Sequence, residues 1–144
     1  DWGHAKDYVE MQWMMLQSKK PKDYVIATGK QHTVRQFLEW SANELGIEII
    51  FKGTGISEVA EISNVSGEAS KNLKKGDIIC KVDDRYFRPS EVDTLLGDSS
   101  LAKKELGWEP KITVQEMCKE MINEDFEEAK KNVLLKEHGF KNNI

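Results

Sequence analysis

Arg88-Pro89-Ser90-Glu91 places an arginine and a glutamate three residues apart around a proline, and no other pair in this chain is better equipped for chemistry. Pro89 fixes its own φ and disfavours the helical region for Arg88, so the segment turns or begins a helix; either geometry brings Arg88 near Glu91. A guanidinium presents a planar fork of donors that can grip a diphosphate through two parallel bonds, where a lysine would offer a point charge. A carboxylate accepts paired hydrogen bonds from vicinal hydroxyls, the logic by which dinucleotide folds read a ribose. The competing arrangement is a surface ion pair worth between nothing and about 1 kcal/mol, and spacing alone favours it.

The remaining reactive side chains are less well placed. His4 and Asp7 stand about one helical turn apart, a spacing that can orient a general base, but no nucleophile or metal partner accompanies them. Read locally, His4 sits near a helix start and Asp7 is a first-turn charge favourable to the helix dipole. His32 and His138 have no neighbours at ligand spacing. Cys80 and Cys118 are too few and too far apart for a disulfide framework or a CxxC site, and both read as buried small apolar side chains. No GxGxxG or GxxGxxG is present to bring backbone amides against a pyrophosphate. Gly53-Thr54-Gly55 is the nearest cluster and reads as a plain loop. Lys130-Lys131 and the acidic run from Glu124 to Glu128 read as a solvated helix face.

The elements that must position Arg88 and Glu91 follow from periodicity. Between His4 and Ser18, Val9, Trp13 and Leu16 recur close to helical spacing with Tyr8, Met11 and Met15 beside them, a wide apolar stripe that wants a partner. Tyr8, Trp13, Met14 and Met15 are candidates for an exposed apolar patch. Pro21 ends this helix, and Tyr24 to Thr28, stopped by Gly29, reads as a buried strand. Thr33 and Gln36 form a capping box for a helix with Phe37, Trp40 and Leu45 inward, stopped by Gly46. Ile47 to Phe51 reads as a short strand, Lys52 to Gly76 as loop with a minor strand or turn, and Ile78 to Val82 as β. Asp98 and Ser99 cap a helix that Gly107 ends, with Asp93 a turn residue and Trp108 a core anchor. Thr113 and Glu116 open a last helix with Met117, Met121 and Ile122 inward, running on toward Leu135.

A chain of 144 residues with 39% apolar content is long enough for one domain with a real core. The net charge of -4, with both signs interspersed, argues against a nucleic-acid partner. No apolar run approaches the roughly 20 residues of a membrane helix and no signal pattern opens the chain, so the expectation is a cytoplasmic protein without a membrane partner.

The run Tyr86-Phe87-Arg88-Pro89-Ser90-Glu91-Val92-Asp93, followed by Leu96-Gly97-Asp98 and the segment from Ala102 to Pro110, resembles the carboxy-terminal part of the GDP-mannose 4,6-dehydratases. These are NADP-dependent lyases of the extended short-chain dehydrogenase/reductase superfamily. Asp1-Trp2-Gly3-His4-Ala5-Lys6-Asp7-Tyr8-Val9 is similar to the family's Arg-Asp-Trp-Gly-His-Ala-x-Asp-Tyr-Val block without its leading Arg, so the chain reads as a fragment. The matching context shifts the balance at Arg88 and Glu91 from an ion pair to a nucleotide-sugar clamp, with Arg88 on the diphosphate and Glu91 on the guanosine ribose.

The resemblance implies an α/β fold, the carboxy-terminal part of an extended short-chain dehydrogenase: a substrate-binding cap plus one helix and strand of the Rossmann-type domain. Residues 1–30 would belong to the cofactor-domain sheet and 31–144 to the nucleotide-sugar-binding cap. It implies oxidation of GDP-mannose at C4 by NADP, loss of water across C5 and C6 and hydride return to C6, a step toward GDP-fucose, in a homo-oligomeric parent enzyme. The family's Tyr-x-x-x-Lys pair is absent, since Tyr8, Tyr24 and Tyr86 are followed four residues on by Gln12, Thr28 and Ser90. No catalytic, cofactor-binding or metal residue is therefore assigned, the partner is an absent amino-terminal Rossmann domain, and the chain alone is expected to be inactive. The second reading is a non-catalytic GDP-sugar-binding or protein-interaction module.

Overall fold

Two capping boxes and three antiparallel strands organise the computed structural model, which describes residues 1–88, 90, 92 and 94–139. Helix α1 spans Ala5–Leu16, α2 Val34–Glu44, α3 Ser100–Leu106 and α4 Val114–Glu137; strands β1, β2 and β3 span Ile47–Lys52, Val59–Val65 and Ile78–Lys81. Thr33 Oγ1 accepts the Gln36 amide at 3.1 Å while Gln36 Oε1 accepts the Thr33 amide at 2.9 Å, closing the box that opens α2. Thr113 and Glu116 repeat the arrangement at α4, each box satisfying amide donors that a bare helix end leaves unpaired. Gly46, at φ +73°, lets the chain leave α2 and enter β1 within two residues, a conformation costly to any side chain bearing Cβ.

The sheet order is β1-β2-β3, with both pairings antiparallel. The minor strand or turn expected within the loop from Lys52 to Gly76 is β2, which is not minor but the central strand of the sheet. Its inward pair is Ala60 and Ile62. Alanine contributes little to a β pattern, and register shifts at Glu48/Ile49 and Ala60/Glu61 interrupt the ladders. Ile62, fully buried, joins Ala42 of α2 and Ile47 of β1 in one core cluster, with Leu45, Ile49, Val65 and Leu73 around it. α2 packs on both β1 and α4, and α4 turns Val114 and Cys118 inward, whereas Met121 is half exposed rather than inward as expected. Cys80, on the edge strand β3, is exposed; the expected burial holds for Cys118 alone.

A second cluster gathers Met11 of α1, Ala102 of α3 and Trp108, with Tyr8, Met14, Met15, Tyr24 and Ile26 packed around it. The helix face that is buried therefore runs through Asp7 and Met11, while Val9, Trp13 and Leu16 are exposed at 60%, 62% and 81%. Tyr24 to Thr28 adopts no strand, contrary to expectation. A strand exists by pairing, and among the described residues this run joins no ladder. The residues hold position through side chains instead: Tyr24 donates its hydroxyl to Glu105 at 2.8 Å, and Lys22 binds the same carboxylate.

Candidate functional site

Arg88 lies exposed on an irregular segment that leaves the sheet after β3. The segment's entry is fixed by a 3-10 turn at Asp84–Tyr86, whose cap, Asp83, accepts the Arg85 amide at 3.0 Å. The Arg85 guanidinium grips the same carboxylate, with its closest nitrogen 2.6 Å away, and rests over the Tyr86 ring at 5.4 Å. That guanidinium and then the Arg85 amide hold the Asp83 carboxyl below the usual carboxylate range. Arg85 is thereby committed to the turn, and Arg88 is the next cation along the segment. Tyr86, Val92, Leu95 and Leu96 expose 60% or more of their surface, so the segment offers apolar as well as cationic groups.

Glu91, the second sequence-predicted site residue, lies outside the described residues, as do Pro89 and Asp93. The structure therefore describes the predicted clamp at Arg88 and not at its partner.

The exit of the segment is held by an interaction that the sequence reading missed. The Asp1 carboxylate accepts the Thr28 amide at 2.8 Å, the Thr28 hydroxyl at 2.6 Å, the Gly29 amide at 2.9 Å and the Gly97 amide at 3.3 Å. A Cβ on Gly97 would fall 2.2 Å from the Ala27 Cβ, so only glycine permits this approach. Asp98 then accepts the Ser100 amide at 2.9 Å and starts α3, as expected, whereas Ser99 makes no side-chain cap bond. Nothing local in the sequence marks Asp1, because its partners lie as far as 96 residues along the chain.

His4 and Asp7 do not form a dyad. His4 Nδ1 accepts the Lys6 amide at 3.0 Å as the cap of α1, and Nε2 lies 3.4 Å from Glu120. Asp7 is buried and accepts the Lys111 and Ile112 amides at 2.8 and 2.9 Å, while its backbone carbonyl takes the Trp108 indole N–H at 3.0 Å. Asp7 is thus a tertiary clasp as well as the expected first-turn charge of α1. His32 packs edge-on against Trp40 at 5.0 Å, and His138 Nδ1 lies 2.8 Å from the Leu134 carbonyl.

The described residues at Gly53 and Gly55 lead into a three-residue 3-10 turn, which has no helix N-terminus to face a pyrophosphate. The described residues contain no group of three His, Cys, Asp or Glu side chains able to hold a metal ion, and no helix long and apolar enough to cross a membrane. A groove of about 960 Å³ runs between α4 and the β1 and β2 ends and includes no residue of the Arg88 segment. A smaller cleft of about 190 Å³ is lined by Thr28, Lys30, His32 and the start of α4.

A family model described as GDP-mannose 4,6 dehydratase matches residues 1–121. A GDP-mannose 4,6-dehydratase of Yersinia enterocolitica is 63% identical over 140 residues, covering 97% of this chain and 38% of the relative. One from Vibrio cholerae is 58% identical over 144 residues, covering 100% of this chain and 39% of the relative. The human GDP-mannose 4,6 dehydratase is 42% identical over 132 residues, covering 92% and 33%. The chain thus spans well under half the length of the curated relatives it matches. A single family accounts for the Arg88 segment, the Asp1 block and the helices that join them: this chain belongs to the GDP-mannose 4,6-dehydratases.

Proposed function

We propose that the chain forms the nucleotide-sugar-binding part of a GDP-mannose 4,6-dehydratase, the enzyme that converts GDP-mannose to GDP-4-dehydro-6-deoxy-mannose and water. The observation that carries this reading is the continuous match, which runs from residue 1 through the Arg88 segment to residue 121. Arg88 grips the diphosphate and Glu91 accepts the guanosine ribose hydroxyls. NADP and the reacting groups belong to the rest of the polypeptide, an extended short-chain dehydrogenase with a Rossmann-type domain, in a homo-oligomer. Residues 1–30 belong with that domain's sheet and 31–144 with the cap. Support for the first assignment comes from the Val9, Trp13 and Leu16 stripe left exposed on α1 and from the β-branched run at Tyr24 to Thr28, which joins no sheet among the described residues.

Calorimetry with GDP on the full-length protein that carries this segment tests the clamp. Arg88→Ala is expected to weaken binding about 30-fold, equivalent to about 2 kcal/mol for an arginine anchor. Equal affinity in the two proteins would remove Arg88 from the site. The isolated 144 residues, supplied with GDP-mannose and NADP, are expected to yield no 4-keto product.

A further inference from the structure

We infer that Asp1 is a positioning residue for the nucleotide-binding segment, fastening the carboxyl end of the Arg88–Gly97 run to the Thr28–Gly29 turn; this rests on the clamp reading of Arg88. Between the 3-10 turn at Asp84–Tyr86 and the start of α3 at Ser100, the described residues form neither helix nor strand. A guanidinium on such a segment is placed only as well as the segment's two ends are held, and an error of about 1 Å in a binding group costs as much as roughly 100-fold in rate. The amino end is held by Asp83 and Arg85. The carboxyl end runs into α3, where Asp98 caps Ser100, and Gly97 just upstream of that cap is held by a further contact.

Asp1 supplies that hold in two ways. Its Oδ2 accepts from both Gly29 and Gly97, so one oxygen joins the turn to the segment, while Oδ1 is fixed by the Thr28 amide and hydroxyl. The missing Cβ of Gly97 allows the backbone to lie against Ala27 and Val25, bringing the amide within reach of the carboxylate. A carboxylate is suited to the task because it accepts on both oxygens; the amide of asparagine accepts on one and presents N–H₂ where the other stood.

The test uses the full-length protein carrying this segment and reads GDP affinity, KM and kcat for GDP-mannose, and the melting temperature. Asp1→Asn is expected to raise the GDP dissociation constant and KM about 10-fold while kcat stays within about 2-fold, because the segment is displaced and the reacting groups are not. Gly97→Ala is expected to do the same. Thr28→Val, a milder change that keeps the backbone amide, is expected to give a smaller rise in the same direction and serves if either of the others fails to fold. Lowered melting temperatures with unaltered GDP affinity in the folded variants would overturn the positioning role and show Asp1 to be a structural clasp. If those variants leave affinity unchanged while Arg88→Ala weakens it, the clamp reading stands and this inference falls. If Arg88→Ala also has no effect, both fall.

Discussion

The two core clusters of this chain are held by different means. The one around Ile62 is built from neighbours in sequence: β1 returns as β2, β2 as β3, and α2 enters from a capping box directly before β1. The one around Trp108 is assembled from pieces far apart in the chain and fastened by single side chains, with Asp7 on Lys111 and Ile112, Glu10 on Lys111, and Glu105 on Tyr24. Repeated pairing spreads the load over many backbone bonds, so no one of them is decisive. A clasp concentrates it in one carboxylate, and the Arg88 segment hangs between the two kinds of support, with β3 at one end and Asp1 at the other.

Core truncation should affect both halves most strongly and about equally. Trp108→Ala removes a side chain that is 2% exposed together with its bond to Asp7, and is expected to cost about 3–5 kcal/mol. Ile62→Ala, at the centre of the sheet cluster, is expected to cost about 2–5 kcal/mol, both read by denaturant unfolding. A Trp108→Ala protein as stable as the parent would mean that the second cluster is not a core.

The clasp itself separates the halves more cleanly. Asp7→Ala leaves two partly buried amides unpaired and is expected to cost about 2 kcal/mol, whereas Thr33→Ala at the sheet-side capping box should cost about 1 kcal/mol. Hydrogen exchange on the Asp7→Ala protein should show faster opening in α1 and around Lys111 with β1 and β2 still protected. Uniform acceleration across both halves would show that the clusters unfold as one unit.

The smallest effect expected is a response to acid. Lys22, and after it the Tyr24 hydroxyl, hold Glu105 below its ordinary carboxyl value by hydrogen bonding. A folded pKa below the unfolded one gives stability that is complete above the ordinary carboxyl range and is lost as pH falls through that range toward the depressed value. Glu105→Gln should flatten this part of the stability profile on the α1 side, and an unchanged profile would remove the contact from the account.

Much of the fold is legible residue by residue. Thr33 with Gln36 and Thr113 with Glu116 mark two helix starts, Gly46 and Gly107 mark two helix ends, and Ile47 and Ile78 open strands where the β-branched runs begin. β2 was legible only as a minor strand or turn because half of its buried face is an alanine, and Tyr24 to Thr28 misled because a β-branched run states a preference for pairing without supplying a partner. Arg88 was legible as a candidate from its chemistry and from the resemblance around it. Asp1 and Gly97 were not, since a carboxylate before a tryptophan and a glycine after a leucine carry no local signal of each other.

Capping, helix ends, strand tendencies and family membership thus belong to the sequence, because each depends on residues within a few positions or on the identity of a continuous run. The exposed face of α1, the centrality of β2 and the Asp1 and Asp7 clasps belong to the assembled chain. They depend on hydrogen bonds and packing between residues as many as 105 positions apart, and the free energy of such a contact is defined only once its partner is in place.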